Sequence, residues 1–181
     1  MDLFRAIKER RSIRRFKQEP LPTKDLMKIL EAARLAPSGG NRQPWYFIIV
    51  RDLETKKNLS NAARNQKFIA DADTVVIAIG DPLTSAAKLP YTLSSTRIPF
   101  RQEPMIAVEH MVLAATALGY GTCWIGAFNE DEVKRILKIP ENLAVIALLP
   151  IGVADEAPQA RQRKTFTEIF FKESYGTPME T

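Results

Sequence analysis

Between Met111 and Phe128 the chain runs for eighteen residues without a charge. That is long enough to raise a membrane span. Gly119-Tyr120-Gly121 breaks the run in the middle and Gly126 follows, so a buried helix, a turn and a buried strand account for it better. Two other stretches share this character, Thr74–Gly80 and Leu143–Ile151, both nearly continuous in apolar residues. Strands of that kind are buried on both faces. Together with an apolar helix from Met105 to Leu118, they point to an α/β or α+β layered fold with 105–118 as its central helix.

The remaining elements follow from local signals. Asp2–Glu9 reads as a short helix with Leu3, Phe4 and Ile7 on one face. Thr23 is expected to cap a second helix whose Leu26, Ile29, Leu30 and Ala33 recur at i, i+3, i+4 and i+7, with Pro37 as its stop. Pro37 to Pro44 is a loop, and Trp45–Val50 is a strand of aromatic and β-branched residues. A polar helix covers 52–64, and Asn65-Gln66-Lys67 is a joint before another short helical piece. Residues 81–101 contain Pro82, Pro90 and Pro99, which argues against one long helix and for an irregular functional flap. Thr122–Ile125 should be a short strand and 126–128 a turn. Asn129 and Glu132 have the spacing of a capping box for a helix over 130–137. A polar tail carrying Arg161 and Arg163 leads to a short segment at 166–171. At 181 residues the chain suits one domain: residues 1–173, with 174–181 as a flexible tail.

Charge is distributed unevenly. The net charge is +5, yet residues 5–17 hold seven basic side chains and one acid, leaving the rest of the chain at −1. A local excess beside Ser12, between apolar residues, suits an anion site as well as a solvated helix end. Within it, Ile13 and Phe16 read as core, and Arg15 as an ordinary surface charge. An extended nucleic-acid-binding face is disfavoured, because the chain outside this segment is slightly acidic and only Phe16 is interleaved among the arginines.

Several chemistries lack their residues. Cys123 is the single cysteine and His110 the single histidine, so a disulfide, a zinc site and a Cys–His pair have no basis; Cys123 reads as a small buried hydrophobe. No phosphate-binding glycine loop opens a helix. The N-terminus has no apolar signal core, which makes a cytoplasmic protein the expectation, with no membrane and no nucleic acid as partner. Clustered arginines, small-residue loops and no acid–base machinery together suit a phosphorylated flavin, with the cofactor carrying the reaction.

The motifs Glu9-Arg10-Arg11-Ser12-Ile13-Arg14-Arg15-Phe16, Ala36-Pro37-Ser38-Gly39-Gly40-Asn41-Arg42-Gln43-Pro44-Trp45, Ala72-Asp73-Thr74-Val75-Val76, Gly119-Tyr120-Gly121-Thr122-Cys123-Trp124-Ile125-Gly126 and Arg161-Gln162-Arg163 occur in this order. In order and spacing the chain resembles the FMN-dependent nitroreductase family, in a shorter version, from about Leu3 to about Phe171. The resemblance implies a three-layer α+β sandwich with a mixed or antiparallel central sheet, and a homodimer with FMN at the subunit interface. It also implies ping-pong electron transfer from NADH or NADPH to a small-molecule acceptor such as a nitroaromatic or a quinone. Reductive dehalogenation or flavin breakdown on the same fold is the alternative enzyme reading; an anion or nucleic-acid binder built on residues 5–17 is the non-enzymatic one.

By the same resemblance, Arg10, Ser12, Arg161 and Arg163 surround the FMN phosphate, and Arg11 lies beside the phosphate or ribityl chain. Arg14 approaches the ring's N1–C2 edge, where a fixed cation favours the reduced flavin. Asn65 contacts the polar edge of the ring. Pro37, Ser38, Gly39 and Asn41 reach over from the other subunit. Gly126 offers its backbone N–H to flavin N5, with Ala127 next to it. No side chain is assigned as a catalytic acid and no metal is expected. Lys67 and Phe68 stand where the family often has a second basic residue near the ring, and the stretch before the central helix is short.

Overall fold

The computed structural model describes residues 1–86 and 99–179. Its centre is a four-stranded antiparallel sheet. The strands are β1 (Trp45–Val50), β2 (Thr74–Gly80), β3 (Gly121–Thr122) and β4 (Ala144–Gly152), in the spatial order β1-β2-β4-β3. Every residue of β2 and β4 is buried, as their apolar runs require.

Helices cover both faces. On one lie α2 (Thr23–Arg34) and α6 (Pro99–Ala117), which pack Leu26, Ile29, Val108 and Met111 against Val76, Ala78, Leu149 and Ile151. On the other, α3 (Leu53–Ala62), α4 (Phe68–Asp71) and α7 (Glu130–Leu137) bring Leu59, Ile69 and Val133 onto Val75, Ile77, Val145 and Leu148. In β4 the residues facing α6 change parity, from Ala144 and Ile146 to Leu149 and Ile151. A register shift explains this: Ala78 pairs with Ala147 but Ile79 with Val145, which leaves Ile146 as an extra residue. Such a bulge lets one strand serve the same face on both sides of a slip.

Three local expectations need correction. Thr23 is not the cap of α2; Pro22 holds the cap position in extended conformation (φ −57°, ψ 134°) and Thr23 is already helical. The central helix begins at Pro99 rather than Met105, and α5 occupies Pro82–Ala86. The prolines misled because Pro82 and Pro99 each stand at a first helical position, where the missing N–H has no partner to lose, and Pro104 is tolerated inside α6. The rest of the expected irregular 81–101 stretch, residues 87–98, lies outside the described residues. Finally, only Gly121 and Thr122 join the ladder; Ile125 makes an isolated bridge to Leu148.

The helix α1 (Leu3–Glu9) is capped by the Asp2 carboxylate, which accepts the Arg5 N–H at 3.0 Å. Ala6 is its buried residue, and the apolar face expected from Leu3, Phe4 and Ile7 is open, with Phe4 82% exposed. Beyond β4 the chain runs as an exposed arm, with a short helix α8 (Phe166–Ile169). It folds back on itself through a Phe171–Pro178 bridge and the Met179 N–H on the Phe170 carbonyl.

Candidate functional site

The basic segment leaves α1 at Arg10 in extended conformation (φ −52°, ψ 129°) and lies along the sheet edge. Ser12 forms a parallel bridge with Thr122, and the Ile13 N–H donates to the Thr122 carbonyl at 2.8 Å. Further on, Lys17 N–H donates to the Val153 carbonyl and Asp155 N–H to that of Arg15, both at 2.9 Å. The extended backbone turns alternate residues to opposite sides. Ile13 goes into the body, 6% exposed, while Ser12 and Arg14 line the outer side. Phe16 is buried with Ile13 against Ala72. Two glycines allow this docking: a Cβ on Gly121 would stand 2.8 Å from the Ile13 side chain, and one on Gly152 would stand 3.0 Å from the Phe16 ring.

A cavity of about 530 Å³ opens where this segment meets the first residues of the C-terminal arm. Arg10, Arg11, Ser12 and Arg14 line one side and Pro158, Gln159, Ala160, Arg161 and Arg163 the other, with Ile7 and Lys8 from α1. The lining contains six cations and no carboxylate. Lys8 and the 158–160 stretch were not singled out from the sequence. Lys8 belongs to the same basic run and could have been, whereas nothing in Pro158-Gln159-Ala160 signals a site.

The cations are not equivalent. Arg11 donates from one guanidinium nitrogen to the carbonyls of Lys8 and Arg10, both at 2.8 Å, while its Nε is buried without a partner. It fastens the end of α1 as well as lining the cavity. The Arg14 backbone N–H donates to Glu156, leaving its side chain exposed. Glu109 on α6 feels Arg10, but burial raises its carboxyl pKa by more than that cation lowers it. Cys123 is 2% exposed. Burial pushes its thiol up, with Arg14 and the Ser12 hydroxyl offsetting this in part, so it is a poor nucleophile. Among the described residues no group of three potential metal ligands exists, and no helix is long and apolar enough to cross a membrane.

The other residues singled out from the sequence stand elsewhere on the chain. Pro37 and Ser38 lead into a single helical turn at Gly39–Asn41, which does not touch the cavity. Asn65 follows α3 in left-handed conformation (φ 57°). The Gln66 amide donates to the Ala127 carbonyl at 3.4 Å, which brings the 65–66 joint beside the 126–127 turn. A Cβ on Gly126 would meet nothing within 4 Å, so that turn faces open space. Within one chain, then, the expected residues form a basic cavity, a small-residue loop and a turn.

A sequence profile of the Nitroreductase family matches residues 7–153, and the chain belongs to this family. Among curated relatives, a protein of Archaeoglobus fulgidus provisionally named NADH dehydrogenase/NAD(P)H nitroreductase is 36% identical over 155 residues, covering 83% of this chain and 84% of its own. An iodotyrosine deiodinase of Thermotoga neapolitana is 30% identical, covering 85% and 89%. An FMN reductase [NAD(P)H] of Bacillus subtilis is 28% identical, covering 96% and 74%. Among solved structures, a nitroreductase family protein of Clostridium novyi NT superposes with a TM-score of 0.79 at 34% identity, over 98% of this chain and 97% of that one. The fold is that of the family: an α+β sandwich around an antiparallel sheet.

Proposed function

We propose that this protein is a single-domain FMN-dependent oxidoreductase that takes electrons from NADH or NADPH and delivers them to a small acceptor, a nitroaromatic or quinone. The observation that carries the reading is the cavity where Arg10, Ser12 and Arg14 meet Arg161 and Arg163 from the far end of the chain. Guanidinium groups bind phosphate through paired, charge-assisted hydrogen bonds, and none of the lining residues is acidic. Arg10, Ser12, Arg161 and Arg163 would hold the phosphate. Arg14, with its backbone fixed by Glu156, would place its charge near the ring. When bound, FMN supplies the redox chemistry that no side chain here can.

The loop at Gly39–Asn41 would come from a second copy of the chain. Support for a homodimer comes from apolar residues left open on α1, α6 and the arm: Phe4, Met105, Ile106 and Phe170 are each at least 40% exposed. Large apolar side chains left open on several elements suit burial against a second copy. The similarity to an iodotyrosine deiodinase favours a second reading, reductive removal of a halogen in the same site.

The test is the visible spectrum of the purified protein. A yellow preparation, bleached by NADPH or NADH without air and restored by a nitro compound or quinone, supports the oxidoreductase reading. Bleaching with restoration only by an iodinated phenol, with iodide released, favours the second. A colourless protein that gains no flavin spectrum on addition of FMN contradicts both. Arg14→Ala is expected to lower the reduction potential of bound flavin; an unchanged potential would remove Arg14 from the ring.

A further inference from the structure

The Ser38–Gln43 loop has an unusual backbone. Gly40, Asn41 and Gln43 all have positive φ (58°, 53° and 51°); glycine and asparagine adopt this region readily, but for Gln43 it is costly. Such a loop keeps its shape only if its surroundings over-determine it. Some of that comes from within: Gln43 N–H donates to Ser38 Oγ at 2.9 Å, and the Gln43 amide to Asn41. One contact comes from another element. The Gly39 N–H donates to Glu103 Oε1 at 2.9 Å, across 64 residues of sequence.

Glu103 stands in the N-terminal part of α6. Its Oε1 lies 2.8 Å, and Arg42 Nη2 lies 3.1 Å, from the point where a Cβ on Gly39 would sit. Opposite charges therefore flank the Gly39 backbone, and a side chain there would strike both. Glu103 Oε2 and Arg42 Nε are each buried without a hydrogen-bond partner. Glu103 is half-buried, with one oxygen shielded and the other on a backbone N–H; the hydrogen bond is charge-assisted and stronger than a neutral one.

We propose that Glu103 is a positioning residue, holding the Gly39–Asn41 loop in the shape from which it meets the flavin nucleotide carried by a second copy of the chain. The proposal rests on the flavin reading above. Glu103 acts through Gly39 and does not itself touch the ligand. It ties the loop to α6, the helix packed on the sheet, so the loop's geometry is inherited from the core.

The test compares the 181-residue wild type with Glu103→Ala and Glu103→Gln. FMN affinity is read from flavin fluorescence, and amide exchange is read across residues 38–43 without FMN. Losing a charge-assisted bond is expected to weaken FMN binding about tenfold in Glu103→Ala and to speed Gly39 exchange by a similar factor. Glu103→Gln keeps an acceptor oxygen and should stay within about threefold of wild type in both. A general packing role would give no such rescue. An alanine variant matching wild type in both readouts, or a glutamine variant as weak as alanine, overturns the proposal. A wild type that takes up no FMN overturns the flavin reading and the ligand half of this proposal, while the exchange data still decide whether Glu103 holds the loop.

Discussion

Every residue of β2 and β4 is buried within one chain, whereas the arm after β4 leaves Phe166, Ile169, Phe170 and Tyr175 between 44% and 93% exposed. Both regions carry large apolar side chains. In the sheet they are covered by α2 and α6 on one face and by α3, α4 and α7 on the other. In the arm, and on α1 with its open Leu3, Phe4 and Ile7, the described residues of the same chain leave them uncovered. The body buries its apolar residues within one chain; for the arm and α1 the proposed homodimer would supply the second surface. The proposed cofactor cavity lies at the seam between the two regions, with one wall from α1 and the basic segment and the other from the arm. On the proposed reading, folding of the body and completion of the site are separable events.

That contrast can be broken by mutation. The largest effect belongs to the body: Leu148→Ala, at a side chain with no exposure, should cost about 3 kcal/mol of unfolding free energy by urea denaturation, without altering flavin affinity in the fraction that remains folded. Phe4→Ala should do the reverse. It should leave the unfolding of the body nearly unchanged but weaken self-association by about 2 kcal/mol, as truncating a buried aromatic anchor does, seen by sedimentation. Comparable stability losses in both variants would erase the distinction.

A smaller effect concerns acid. Burial pushes the Asp73 carboxyl up, but hydrogen bonds from the Thr74 hydroxyl and the Arg51 guanidinium outweigh it and hold the pKa below the ordinary carboxylate value. A carboxyl lowered on folding contributes its stability in full above the ordinary carboxylate range and loses it as pH falls below that range. Unfolding midpoints should therefore drop between pH 5 and about pH 3, and less so in Asp73→Asn. The smallest effect is at Arg15, whose ion pair with Asp155 is 3.3 Å long and exposed on both sides. Arg15→Ala should change stability by less than about 0.5 kcal/mol and leave flavin binding alone, unlike its neighbour Arg14.

The same division governs what could be read from the sequence. Strands β1 and β2 follow the bounds expected from their apolar runs, and β4 starts and ends one residue later. A doubly covered strand leaves an unmistakable pattern. Helix ends were less legible, because a proline breaks a helix from inside but begins one at its first position, as Pro82 and Pro99 do. The apolar stripe of α1 was visible, but periodicity cannot say whether the covering surface belongs to the same chain. For the site, the charge excess pointed to residues 5–17, and the family resemblance added Arg161 and Arg163. The Glu103–Gly39 contact carried no signal: one glutamate on a helix looks like any other until the loop is folded against it.

The most direct test of the account is an FMN titration of the 181-residue protein beside an Arg161→Ala/Arg163→Ala variant, followed by flavin fluorescence. Both arginines are exposed. The account predicts tight, saturable uptake by the wild type and a loss of affinity on the order of 100-fold in the variant, given a charge-assisted hydrogen bond lost at each position, with the urea midpoint unchanged. Equal affinity in the two proteins would contradict the assignment of the basic cavity as the phosphate site.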